Sequence, residues 1–137
     1  MRVLFDTNVI LDVMLLREPF LKPSALLLAE VERKNIEGFI CSTTVTTIHY
    51  LVEKIKGRKT ALSQIENLLK IFQVSLVDKS CLQSALKSNI KDFEDAVLIE
   101  SAKREHIESI VTRNEKDFKL TKLTIYNPLE LLKIIKS

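Results

Sequence analysis

This sequence predicts a three-layer α/β/α sandwich, an α/β fold built on a mostly parallel five-stranded sheet. Short apolar runs such as Val3-Leu4-Phe5, Phe39-Ile40-Cys41 and Ile110-Val111 alternate with longer stretches of helical periodicity. Such runs suit strands covered by helices on both faces. Only two glycines and three prolines occur in 137 residues, so long irregular loops are not expected.

Taken in order, Arg2 to Asp6 reads as a short buried strand. Thr7 or Asn8 is placed to cap a short helix carrying Val9, Ile10, Val13 and Met14. Arg17 to Pro23, with two prolines, reads as a loop. Ser24 to Lys34 follows as a strongly apolar helix, and Gly38 to Cys41 as the second strand. Ser42 or Thr43 caps a helix to about Lys56, with Ile48, Leu51, Val52 and Ile55 inward. A turn at Lys56-Gly57-Arg58 leads into a helix whose Leu62, Ile65, Leu69 and Phe72 fall on one stripe. Val74 to Val77 is the third strand, Ser80 to Lys87 a short helix and Asp92 to Glu105 a longer one. Ser109 to Thr112 and Leu123 to Tyr126 complete the sheet. Asn127-Pro128 opens the last helix, with Asn at the cap and Pro at the first helical position. No repeat, low-complexity tract or linker divides the chain, so residues 1–137 are expected to form a single domain.

Hydrophobic residues make up 46% and charged residues 28%, the balance of a soluble globular protein. The net charge of +3 permits nucleic-acid binding without requiring it. Cys41 and Cys81 have neither zinc-site nor disulfide-framework spacing, and a reducing cytoplasm is expected. The opening segment is not expected to be a signal peptide: Asp6, Asn8 and Asp12 break its apolar run, and no small-residue cleavage site follows. No stretch approaches the ~20 apolar residues of a membrane span. Gly38 and Gly57 lie in no glycine-rich loop, which excludes a phosphate-binding loop or a dinucleotide fold.

In open parallel sheets, ligands gather beyond the carboxyl ends of the strands. Asp6 follows the first strand, and Asp117 lies a few residues after the fourth. Asp92 and Asp95 open a helix in which Asp92, Asp95, Ile99 and Ala102 fall at i, i+3, i+7 and i+10, so both aspartates continue the apolar stripe. Glu94, Lys103, Arg104 and Glu105 supply the solvent face. The competing reading of Asp92 and Asp95 is a pair of first-turn acids favoured by the helix dipole. An ionised carboxylate facing the core is costly unless paired or metal-bound. Two carboxylates ~5 Å apart at an effective dielectric of ~20 repel by roughly 3 kcal/mol. A cleft holding Asp6, Asp92, Asp95 and Asp117 therefore calls for a hard divalent ion, Mg²⁺ or Mn²⁺. Such a site activates water and stabilises charge on a phosphoryl group. In a mildly basic protein this points to a nucleic-acid phosphodiester.

Three segments, Phe5-Asp6-Thr7-Asn8-Val9-Ile10-Leu11-Asp12, Asp92-Phe93-Glu94-Asp95-Ala96 and Thr112-Arg113-Asn114 with Asp117-Phe118, in this order and at these separations, resemble the PIN domain family. The likeness covers essentially the whole chain and looks nearest to the small bacterial PIN proteins that include VapC toxins. It implies a metal-dependent endoribonuclease acting on RNA, with catalytic Asp6, Asp95 and Asp117. The same three would hold the metal, with Asp92 as an accessory carboxylate. Asn8 would lie beside the metal, Thr112 and Asn114 would line the cleft, and Arg113 would meet a substrate phosphate unless it pairs with Glu115 or Asp117. No covalent intermediate is expected.

The chain departs from the family pattern at one place. Many PIN proteins carry a Glu early in the helix after the second strand. Here that stretch holds no acid, Thr47 or a neighbour takes the position, and Glu53 lies roughly 120° further round the helix. The alternative reading is thus a catalytically degenerate PIN domain that binds RNA or protein. A haloacid-dehalogenase-type phosphatase ranks low, because its chemistry needs a second Asp two residues after the first and position 8 is Asn. His49 reads as a helix residue placed to meet Glu53. The cluster Lys54, Lys56, Arg58 and Lys59 reads as a solvated turn. Tyr50 and Tyr126 read as core-edge aromatics and Asp12 as a surface residue. Ser24–Val31 and Leu62–Phe72 carry more apolar residues than one face needs, so a homodimer or an antitoxin helix would cover the excess.

Overall fold

The computed structural model describes residues 1–119 and 121–136. Five strands form one sheet: β1 (Arg2–Phe5), β2 (Glu37–Cys41), β3 (Gln73–Ser75), β4 (Ser109–Val111) and β5 (Thr124–Tyr126). The order is β3-β2-β1-β4-β5, and every pairing is parallel. The helices are α1 (Thr7–Met14), α2 (Leu21–Glu32), α3 (Ser42–Lys56), α4 (Arg58–Ile71), α5 (Lys79–Leu86), α6 (Phe93–Arg104) and α7 (Pro128–Lys136), with a 3₁₀ turn at Glu115–Phe118. The α/β sandwich expected from the apolar runs is what the chain adopts, with a wholly parallel sheet.

β1 lies in the middle because its last three residues are wholly apolar. Val3, Leu4 and Phe5 are fully buried, each contributing roughly 1.5–3 kcal/mol of burial. Alternate residues feed opposite layers. Val3 and Phe5 join Val9, Ile10, Leu27, Ile48 and Leu131 on one side. Leu4 joins Phe39, Leu98, Ile110 and Phe118 on the other. Phe5 meets Phe72 edge-to-face at 4.9 Å. Gly38 in β2 leaves room for that contact: a Cβ there would come within 2.8 Å of both Phe72 and Val31.

Helix ends account for most differences from the expected boundaries. Asp6, rather than Thr7 or Asn8, caps α1. Helix α2 begins at Leu21, so Pro23 lies in its first turn, where the lost amide has no helical partner to miss. Cys41 occupies the cap position of α3 with no side-chain cap bond. β3 ends at Ser75, short of Val77. At α7, Asn127 Oδ1 accepts from the Glu130 amide (2.9 Å) and Glu130 Oε1 accepts from the Asn127 amide (3.1 Å), a reciprocal capping box that supports the expected start.

On α4 the inward face is Ala61, Leu68 and, just past the helix, Phe72. Leu62 and Leu69 are 44% and 47% exposed, and Ile55 of α3 is also exposed. The stripe through Leu62 and Leu69 points the wrong way because the buried face begins at small Ala61, which adds little to a hydrophobic pattern.

Candidate active site

The chain order reverses at β1. Strands β2 and β3 extend the sheet to one side, and the next strand, β4, returns to the other flank of β1. Ligands bind at such a switch point, beyond the carboxyl ends. β1 delivers Asp6 there, and β4 delivers Thr112.

Asp6 is 6% exposed and continues the ladder, its amide donating to the Val111 carbonyl (3.0 Å). Its carboxylate accepts three hydrogen bonds. The Thr7 amide donates to Oδ1 (2.7 Å), while the Thr112 hydroxyl (2.7 Å) and Asn8 Nδ2 (3.2 Å) donate to Oδ2. All three donors are neutral. Burial pushes the Asp6 carboxyl above its usual range, the bonds from Thr112 and Thr7 oppose that, and the charges of Glu94 and Asp117 add to it.

Asp95 stands in the first turn of α6, half-buried. Its carboxyl is pushed up to about 7, first by burial, then by the charges of Asp6, Asp92, Asp117 and Glu94. Asp92 is the α6 cap, its Oδ1 accepting from the Asp95 amide (3.0 Å). It therefore fills the capping role of the competing reading while also facing the cleft. Asp6, Asp92, Asp95 and Asp117 together line an open cleft of about 300 Å³ with Thr7, Asn8, Leu11, Glu94 and Asn114. The two aspartates picked out by their place after strands and the two picked out by helical spacing are thus brought together.

Glu94, expected on the solvent face, is exposed and also lines the cleft. The first turn of α6 opens directly onto it, so a residue off the apolar stripe still reaches it. Thr112, expected to line the cleft, is fully buried and braces Asp6 from behind. Its Oγ1 also accepts from the Asn114 amide (3.0 Å). Asn8 turns its amide to Asp6, and its Oδ1 accepts from the Arg113 amide (3.3 Å).

Arg113 and Asp12 differ most from expectation. Asp12 is fully buried rather than on the surface, and its partner is Arg113: Nε donates to Oδ2 (2.5 Å) and Nη2 to Oδ1 (3.1 Å). Arg113 pairs with neither Glu115 nor Asp117. It lines a different cavity, about 690 Å³, with Pro19, Phe20 and Pro128. That cavity is larger than the acidic cleft, yet it contains none of the clustered aspartates.

The residue at the expected helix acid, Thr47, donates its hydroxyl to the Thr43 carbonyl of its own helix (3.1 Å). The α3 residue tied to the site is Thr44, which accepts from the Thr7 hydroxyl (3.2 Å). His49 approaches Glu53 at 3.9 Å, as its spacing suggests.

Among the described residues, no three His, Cys, Asp or Glu side chains are gathered closely enough to hold an ion as they stand. The chemistry of the donor set nevertheless fits a hard cation. The polar groups lining the cleft are carboxylate, hydroxyl and carboxamide, without His or Cys.

This is an acidic-site α/β domain. The chain belongs to the PIN domain family, whose model matches residues 2–116. Among solved structures, it is similar to VapBC2 from Rickettsia felis bound to a promoter DNA fragment, with 20% identity and a TM-score of 0.68, covering 93% of this chain and 98% of that one. DNA-bound VapBC from Salmonella typhimurium gives 15%, 0.71, 93% and 98%. Mycobacterium tuberculosis VapC20, described as a Sarcin-Ricin loop cleaving toxin, gives 11%, 0.70, 88% and 98%. No curated protein sequence matches. Among the described residues, no helix is long and apolar enough to cross a membrane.

Proposed function

We propose that this chain is a Mg²⁺- or Mn²⁺-dependent endoribonuclease, the toxin half of a toxin–antitoxin pair. The observation that carries the reading is a crowd of carboxylates at the sheet's switch point, where Asp6 takes its hydrogen bonds from neutral donors and the Asp95 carboxyl is pushed up to about 7. Membership of the PIN family and the RNA-cleaving description of VapC20 support ribonuclease chemistry.

Asp6, Asp95 and Asp117 would hold the metal, with Asp92 and Glu94 adding charge. When bound, the ion supplies Lewis acidity toward the phosphoryl group and lowers the pKa of water. The chain's own residues do the positioning. Thr112, Asn8 and the Thr7 amide fix both oxygens of Asp6, Asp92 anchors the turn that carries Asp95, and Asn114 lines the cleft. Asp92, with Glu94 beside it, would supply the charge missing from the early turns of α3.

Toxin–antitoxin neighbours, together with the exposed Leu62, Leu69, Tyr50 and Ile55 on α3 and α4, support an antitoxin-type protein partner or a second copy of the chain. A catalytically degenerate PIN module is the second reading. It is favoured by the lack of an acid in the early turns of α3 and by the Thr47 hydroxyl being engaged with its own helix.

The deciding experiment incubates a mixed single-stranded and structured RNA pool with wild type, Asp95→Asn and Glu94→Gln, with Mn²⁺ or with EDTA. Cleavage by wild type with Mn²⁺ only, lost in Asp95→Asn and reduced in Glu94→Gln, is expected. Equal cleavage by wild type and Asp95→Asn would mark a contaminating nuclease. No cleavage by any of the three would move the assignment to the degenerate module.

A further inference from the structure

We propose that Asp12 and Arg113 form a strut that positions the acidic cleft through residues 112–114, so that Arg113 is a positioning residue and not a contact for RNA. Its catalytic consequence rests on the nuclease reading above.

Asp12 lies on α1 with no exposed side-chain surface, and both of its oxygens are taken by the Arg113 guanidinium. The Phe20 ring covers a face of that guanidinium, 4.0 Å from its centroid. Arg17 stands 3.9 Å from Asp12 on another side. A planar fork held edge-on by a carboxylate and face-on by a ring has one orientation.

The backbone beneath inherits that order. The Arg113 amide donates to Asn8, the Thr112 hydroxyl donates to Asp6, and the Asn114 amide donates back to Thr112. Three consecutive residues are thereby bound to both ends of α1, with Asp6 at its start and Asp12 further along. Releasing the Arg113 side chain frees the Thr112 hydroxyl from its fixed aim at Asp6. Misplacing a group by about 1 Å can cost about 100-fold in rate. An effect of this kind appears in kcat and leaves RNA affinity alone.

Arg113→Lys keeps a charge beside Asp12 but loses the fork. Arg17→Met removes the neighbouring cation without touching residues 112–114. The measurements are kcat and KM on RNA with Mn²⁺, and amide hydrogen exchange at Arg113, Asn114 and Ile110. Arg113→Lys should lower kcat by about ten-fold or more with KM within about two-fold. It should also speed exchange at Arg113 and Asn114 by about ten-fold or more while Ile110 stays protected. Arg17→Met should leave all of these within about two-fold of wild type.

A raised KM with unchanged kcat overturns the strut and returns Arg113 to the RNA. Unchanged exchange in Arg113→Lys also overturns it. Should that variant not fold, the double variant Asp12→Asn with Arg113→Gln, which buries no unpaired charge, is judged by the same criteria. If wild type cleaves no RNA, the nuclease reading fails separately, and the exchange rates alone decide the strut.

Discussion

Two buried carboxylates, one capping helix α1 and one within it, are treated in opposite ways. Asp12 is enclosed by cations, with Arg113 on both oxygens and Arg17 nearby. Asp6 is enclosed by a hydroxyl, a carboxamide and a backbone amide, with further carboxylates across the cleft. Burial costs an ion several kcal/mol, and a paired cation offsets much of it. Neutral donors offset less. Asp12 therefore belongs to the architecture, whereas Asp6 retains a demand for positive charge that the protein does not meet.

The contrast can be broken in four ways, from the largest effect to the smallest. Asp6→Asn should cut RNA cleavage by about 10⁴-fold or more while keeping the fold, because Asn also caps helices well; single-turnover assays with Mn²⁺ check this. Asp12→Ala should cost roughly 3–5 kcal/mol in urea unfolding, since it strands Arg113. Adding Arg113→Met should recover most of that, and no recovery would contradict the pairing argument. Mn²⁺ at about 100 times its Kd should stabilise wild type by about 2.7 kcal/mol, read as a melting temperature raised by several degrees. Asp12→Asn with Arg113→Gln should retain that shift, and Asp6→Asn should lose it.

The smallest effect is on pH. Asp95 carries a folded-state pKa of about 7 against an ordinary 3.8. Between those values the folded protein binds the proton and the unfolded chain does not, so metal-free stability falls as pH rises from about 4 to about 7. Solvent still reaches the partly buried Asp95 side chain and screens it, so the loss is on the order of 1 kcal/mol. Asp95→Asn should flatten that slope; a metal-free stability curve as steep as that of wild type would count against it.

The sheet and the four aspartates were legible because their signals are local. A carboxylate at the end of an apolar strand, or on the apolar stripe of a helix, is visible within a few residues. Asp12 was not legible: its partner Arg113 lies 101 residues away, and nothing near Asp12 announces burial. Glu94 was hidden for a different reason. Helical periodicity separates core from solvent but does not register a cleft at the helix end. The segment holding Thr112 and Arg113 stood out in the sequence, yet the direction of each side chain depends on contacts with α1 that no spacing reveals.

The placement of β4 beside β1 also bears on how the chain is made. Asp6 and its brace Thr112 are separated by 106 positions, and Asp117 comes later still. Chains are synthesised from the N-terminus at about 5–20 residues per second, so Asp6 emerges several seconds before its partners exist. A nascent chain has no assembled cleft during that interval. On the nuclease reading, the ribosome producing this protein is shielded from its product until Thr112 and Asp117 have been translated.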